Sequence, residues 1–235
     1  MQKHLSILLA LLLALPALSL AQRITGSGHV ISETRNHSGF DGIVVSGAIH
    51  VYVHQGNRFA VRVEADDNVI PYIRTEVSRT RLVISHEGSL HNTTTMAVHV
   101  TLPELKSIEA SGASMVRGET PLRGQELALR LSGASHAHFE LNHDLVLIEA
   151  GGASILKLSG KTVHLEAVVE GASQLKAGEL QADTGDIAAS GASQAIVAVA
   201  ASLRADASGA SHITSAVNPQ DSDLQSSGAS SIKLP

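Results

Sequence analysis

Residues 127–157 read LALRLSGASHAHFELNHDLVLIEAGGASILK, and the tripeptide Gly-Ala-Ser occurs in them twice, beginning at Gly133 and at Gly152. The same tripeptide begins at Gly112, Gly171, Gly191, Gly209 and Gly228, so that successive copies lie 21, 19, 19, 20, 18 and 19 residues apart. A degenerate copy, Ser46-Gly47-Ala48, stands 65 residues before Gly112, about three further periods. Its flank also matches, since Phe40, Ile43 and Val45 align with Leu105, Ile108 and Ala110. A fixed period of this length is the mark of a repeat architecture.

Around each corner the sequence alternates. Four residues before the glycines stand Ile108, Leu129, Ile148, Ala167, Ile187, Ala205 and Leu224, and two before stand Ala110, Leu131, Ala150, Val169, Ala189, Ala207 and Ser226. Between them lie Glu109, Arg130, Glu149, Val168, Ala188, Asp206 and Gln225, a period of two that predicts strands with one buried face. Beyond the corner, Val116, Ala137, Leu156, Leu175, Ala195, Ile213 and Ile232 continue the inward set. A unit of some 19 residues cannot bury such a face alone, but stacked copies can, each strand pairing with its equivalents above and below. The fold expected is therefore an all-β parallel β-helix with stacked Gly-Ala-Ser corners. Glycine supplies a corner conformation denied to other residues, the alanine is expected to tuck inward, and the serine hydroxyls to bond along the axis. A β-sandwich would need recurrent two-residue hairpin turns, which the repeats lack.

Met1–Ala21 reads as a secretory signal peptide, with Lys3 in a short positive start, an apolar run from Leu5 to Leu15, and Ser19 and Ala21 at a cleavage site that leaves Gln22 first. The remainder, 22–235, is expected to form one β-helix domain, with broader, irregular first coils and a cap over 22–105 and regular coils over 106–235. The final half-coil at Ser230–Pro235 leaves an edge that invites end-to-end association with a second copy.

Composition narrows the function. The 235 residues carry 17 basic and 22 acidic side chains, no cysteine, no tryptophan and only five Phe or Tyr. Lack of cysteine excludes disulfides, thiolate metal sites, a cysteine nucleophile and a lipid-modified cysteine anchor. An acidic balance speaks against nucleic acid as a partner, and no later stretch is long and apolar enough for a transmembrane helix.

Ser38-Gly39-Phe40-Asp41-Gly42-Ile43 leading into Val45-Ser46-Gly47-Ala48, then Val51-Tyr52-Val53 before Gln55-Gly56, the VRVEADDN segment at 61–68, Leu102-Pro103-Glu104-Leu105 and the repeated SGAS steps together resemble the head GIN domain family of autotransporter adhesins. The resemblance runs from about Gly26 to the end. It implies a right-handed β-helix in the bacterial envelope and brings no catalytic residue with it.

Candidate chemistry is sparse. Ser114, Ser135 and their equivalents recur once per coil, as packing residues do, and no Gly-x-Ser-x-Gly elbow occurs. His136, His138 and Glu140 alternate on one outward strand face and are the candidate metal ligands. Against them, Arg117 one coil back and Lys157 one coil on are expected beside His138, and fixed positive charge repels a cation. His50, Tyr52 and His54 form a similar trio. Asp66-Asp67 and Asp221-x-Asp223 are the close acidic pairs, and Gly26-Ser27-Gly28 is too short for a phosphate loop. No catalytic residue and no cofactor is assigned. Gly112, Gly133, Gly152, Gly171, Gly191, Gly209 and Gly228 are assigned a structural role as the corner ladder. The function expected is non-catalytic: an exported envelope or surface protein, periplasmic, surface-held or secreted, that binds a glycan or a protein through its β-helix faces. One face is offered by Met115, His136, Ile155, Gln174, Gln194, His212 and Ser231. The alternatives are a polysaccharide lyase or hydrolase, and a structural or sensory module docking through the open C-terminal edge.

Overall fold

The computed structural model describes residues 23–235; the expected leader, 1–21, lies outside them. Alternating patterns and frequent β-branched residues make nearly every element a strand. The chain opens with β1 (Arg23–Thr25), β2 (Val30–Arg35), β3 (Gly42–Val45), β4 (His50–Gln55) and β5 (Ala60–Asp66). A 3-10 turn at Ile70–Tyr72, with Pro71 fixing its start, leads to β6 (Ile73–Ser78), β7 (Arg81–His86), β8 (Ser89–His91) and β9 (Met96–Leu102). The repeats supply β10 (Ser107–Ala110), β11 (Met115–Gly118), β12 (Leu122–Leu131), β13 (His136–Ala150), β14 (Ile155–Val169), β15 (Gln174–Ala189), β16 (Gln194–Ala207), β17 (His212–Ser215), β18 (Asp221–Ser226) and β19 (Ser231–Lys233).

The repeats stack as the spacing predicts. Ile108 lies beside Leu129, Leu129 beside Ile148, and so on through Ala167, Ile187 and Ala205 to Leu224, all in parallel register. One sequence period thus becomes one strand spacing, and the seven steps from Gly47 to Gly228 rise about 34 Å. The inward side chains form one buried cluster reaching from Ile24 to Ile213, narrow enough that Ala and Val fill much of it. Phe139 fits because its neighbour one coil below is Gly118, where an added Cβ would stand 3.0 Å from the ring.

At the seven corners glycine is required twice over. Its φ lies between 69° and 75°, and an added Cβ would come within 2.6–2.9 Å of the carbonyl oxygen of the glycine one coil below. That oxygen accepts the N–H of the alanine above at 2.7–2.8 Å, from Ala113 on Gly47 to Ala229 on Gly209.

Of the two other corner residues, the alanine does not turn inward as expected, while serine hydroxyls do bond along the axis, Ser193 to the Val169 carbonyl (2.8 Å) and Ser211 to that of Ala189 (2.9 Å) on the coil below. Ala113, Ala134, Ala153, Ala172, Ala192, Ala210 and Ala229 face solvent, while Ser114, Ser135, Ser154, Ser173, Ser193 and Ser211 are buried. After the left-handed glycine the chain turns inward at the third residue of the motif, not the second. Only a small hydroxyl there can reach back to the carbonyl three residues earlier, as Ser114 does to Ser111 (2.9 Å), Ser135 to Ser132 (2.8 Å) and Ser211 to Ser208 (2.8 Å).

Below Gly112 the winding differs. β3 is flanked by β10 and β7, and β4 by β11 and β9, all parallel. The 65 residues between Gly47 and Gly112 therefore make a single step of the stack, not three. Strands β7 and β9, later in sequence, slide in beneath β3 and β4. Beneath those run β6 and β5, antiparallel to β7 and β9, with β2 antiparallel to β5. The reversal from β6 to β7 is a two-residue turn with Arg79 at φ 57°. At the end of β5, the buried carboxylate of Asp66 accepts the N–H of Gly28 (2.8 Å), the N–H of Thr94 (2.7 Å) and the Thr94 hydroxyl (2.9 Å), tying two loops to the strand.

Candidate functional site

Because strands pair in register, outward residues one period apart form columns. The expected face is one of them: His50, Met115, His136, Ile155, Gln174, Gln194, His212 and Ser231 are successive partners. Two residues further along each strand runs a second column, Tyr52, Arg117, His138, Lys157, Lys176, Ile196, Thr214 and Lys233. At its foot Tyr52 stacks on His99, ring centroids 5.0 Å apart. Burial, and then the nearby Arg62, holds the His99 imidazole below its ordinary pKa.

His136, His138 and Glu140 do share the outward face of β13, and Arg117 and Lys157 flank His138 as expected. Among the described residues no group of three His, Cys, Asp or Glu side chains is placed to hold a metal ion. Asp66 and Asp67 sit in the cap, whereas Asp221 and Asp223 lie on β18 at the other end of the stack, so the two acidic pairs do not converge. Asp67 instead accepts the Ser27 hydroxyl at 2.5 Å, a bond that together with the Asn68 N–H holds its pKa down. Gly26-Ser27-Gly28 is thus part of the cap's fastening.

The strands on the other side of the corners carry paired charges. Arg81 binds Glu109 at 2.8 Å and Arg130 binds Glu149 at 3.1 Å. Glu109, Arg130 and Glu149 border an open depression of about 620 Å³ along the corners, lined also by Val44, Ser111, Ser132, Gly151 and Glu170. Under another corner lies His143, 3% exposed, with neither ring nitrogen hydrogen-bonded. Burial pushes its pKa down, more than Asp144 and Glu104 raise it. The sequence carried the signal for the Arg117 column, since Arg117, His138, Lys157 and Lys176 recur at the repeat's own steps of 21, 19 and 19. It carried none for the contacts of Asp66, whose partners are 28 and 38 residues away.

Residues 39–219 match the model of a family described as "Putative auto-transporter adhesin, head GIN domain". The chain belongs to this family. No curated protein is significantly similar to this head GIN domain chain. Among solved structures, a putative adhesin from Bacteroides fragilis superposes with a TM-score of 0.85 at 21% identity, covering 90% of this chain and 100% of its own. A putative adhesin from Parabacteroides merdae gives 0.73 at 18% identity, with 92% and 100% covered. A protein from Parabacteroides distasonis named a putative lipid binding protein gives 0.69 at 20%, with 91% and 100% covered. At these identities the likeness establishes a shared fold.

Proposed function

We infer that the chain is an exported, non-catalytic protein of the bacterial envelope or surface that binds a glycan or a surface protein on the outer faces of its β-helix. The observation that carries this reading is the flatness of the stack. Only the four residues 132–135, 151–154, 170–173 and 190–193 separate the long strands β12 to β16, so no loop rises at these corners to wall a cleft. Enzymes that cut polysaccharides hold the scissile bond between convergent groups in such a cleft. A flat array of in-register side chains favours an extended partner held without chemistry. The adhesin names within the family and among the structural neighbours agree with it.

The test is to offer the mature protein, Gln22–Pro235, a panel of bacterial and host polysaccharides and to follow retention and chain length by mass spectrometry. Intact glycan retained on the protein is the expected result. Shortened glycan would replace this reading with a lyase or hydrolase.

A second reading rests on β18, whose six residues are all exposed and which among the described residues pairs only with β16. Such an edge offers a parallel template to a second copy or to an envelope partner. Light scattering at high concentration should then give a mass above that of one chain, and a monomer sinks pairing with a second copy; capture of an envelope partner unchanged by deletion of Asp221–Pro235 sinks the other.

A further inference from the structure

The cations of this protein divide into paired and unpaired. Arg35, Arg62, Arg74, Arg81, Lys106 and Arg130 each lie within 4 Å of a carboxylate. Arg117, Lys157 and Lys176 are exposed and enter none of the ion pairs among the described residues. Together with His138 they occupy four consecutive rungs of one column, about 4.8 Å apart and about 14 Å from first to last. In a chain with net charge −5, unpaired like charges at this spacing repel one another, and a ligand bearing repeated negative charge would relieve that repulsion.

The columns on either side set where such a ligand lies. On one side stand Glu140, Ser159 and Glu179, whose two carboxylates repel an anion; on the other stand Met115, His136, Ile155 and Gln174. His136 and Gln174 offer hydrogen bonds, and the half-buried Met115 and Ile155 offer an apolar surface between them. Cationic side chains or His138 on one edge in every coil, with apolar and hydrogen-bonding side chains alternating alongside from coil to coil, match a linear polymer whose units carry charge, hydroxyls and an apolar ring face.

We propose that this double column binds a linear polyanionic glycan lying parallel to the β-helix axis, with Arg117, His138, Lys157 and Lys176 on its acidic groups. The inference rests on the adhesin-like reading above and names its ligand class and face. Binding of this kind displaces condensed counterions from the polymer, so affinity falls with added salt.

Polygalacturonate is the probe, neutral dextran the uncharged control, and phosphatidylglycerol vesicles the anionic surface. Three mature proteins are compared: the unaltered chain, R117S/K157S/K176S on the column, and R123S/K161S/R204S, which removes the same number of exposed, unpaired cations elsewhere. The column variant should bind polygalacturonate about tenfold or more weakly, while the matched variant stays within about twofold, and raising salt from about 50 to 200 mM should weaken the unaltered chain about tenfold. Far-UV circular dichroism and the thermal midpoint report whether each variant folds, and R117K/K157R/K176R should restore binding. Equal loss in both serine variants would overturn the assignment to this face. Dextran bound as well as polygalacturonate would overturn the charge selection and leave the adhesin-like reading standing. Capture by vesicles without capture of the free polymer would overturn it in favour of a membrane partner. If no member of the glycan panel is retained, the glycan reading falls with it.

Discussion

Above Gly112 every coil is met by a near copy of itself, parallel and one period later; below it the winding order departs from the sequence order, and past β7 and β9 the pairing turns antiparallel. The contrast shows what a repeat can and cannot do. Repetition solves the backbone's hydrogen bonding at each new coil by reusing one corner, and nothing in that scheme closes an end. The lower end is closed by different means: strands that reverse direction, a positive-φ turn at Arg79, and a buried carboxylate that collects loop N–H groups. Stability in the stack should therefore hinge on shape at the corners, and stability in the cap on individual polar contacts.

The largest effect expected from this difference is at a stacked glycine. In Gly152→Ala the new Cβ would stand 2.6 Å from the carbonyl oxygen of Gly133, at a φ of 74°, and the coil must shift or open. A loss of more than about 3 kcal/mol is expected. Gly39 in the cap region has nearly the same φ, 75°, with nothing within 4 Å of its added Cβ. Gly39→Ala should cost only the backbone strain, about 1–2 kcal/mol. Urea unfolding of the two variants measures the difference, and equal losses would refute the close-packing account of the ladder.

Next comes the cap's carboxylate. Asp66→Asn places an amide where three donors converge, leaving at least one buried N–H without an acceptor, and should cost about 3 kcal/mol. Burial alone would raise the pKa of Asp66, but the bonds from Thr94 and Gly28 outweigh it and hold the group below its usual 3.8. Its stabilisation is then complete above pH 3.8 and is lost as pH falls through the lower, folded value. Denaturation midpoints followed from pH 6 to pH 2 should show a steeper acid decline in the unaltered chain than in Asp66→Asn.

What the sequence made legible follows the same division. The period of the tripeptide fixed the registers of β10 to β19, and with them both outward columns, because strand partners in a stacked coil are one repeat apart. It did not reveal the non-sequential passage of β7 and β9 beneath β3 and β4. Those 65 residues hold no second corner motif, and antiparallel partners leave no period to read. Nor did alternation settle which of Ala and Ser turns inward. Both are small, and the choice lies in the backbone path after a glycine of positive φ.

A smaller effect separates one corner serine from another. Ser135 donates to Ser132 at 2.8 Å and also lies 3.3 Å from the Ala110 carbonyl. Ser154, in the same position one coil on, has a buried hydroxyl with no partner. Its corner starts with Gly151 where the one below starts with Ser132. Ser135→Ala should cost about 1 kcal/mol, whereas Ser154→Ala should be neutral or stabilising by a similar amount. Equal losses would mean that the hydroxyls serve packing and not the turn.

The last contrast sets two buried ionisable groups against each other. Asp66 is charged and surrounded by donors; His143 is buried with both ring nitrogens unpaired, so the neutral imidazole is the form the stack tolerates. With its folded pKa below 6.5, the unfolded chain takes up the proton first as pH falls. The stabilisation due to His143 is complete above pH 6.5, declines below it, and levels off once the folded pKa is passed. His143→Leu removes both the unpaired nitrogens and the titration, filling the space beside Gly124 and Thr162 with an apolar side chain. Its gain in thermal midpoint over the unaltered chain should therefore be larger at pH 5 than at pH 8. His99 is shifted in the same direction, by burial and by Arg62, but it is present in both proteins and cancels from the difference. A gain independent of pH would show that His143 takes up its proton at the same pH in the folded and unfolded chains and that only its packing matters.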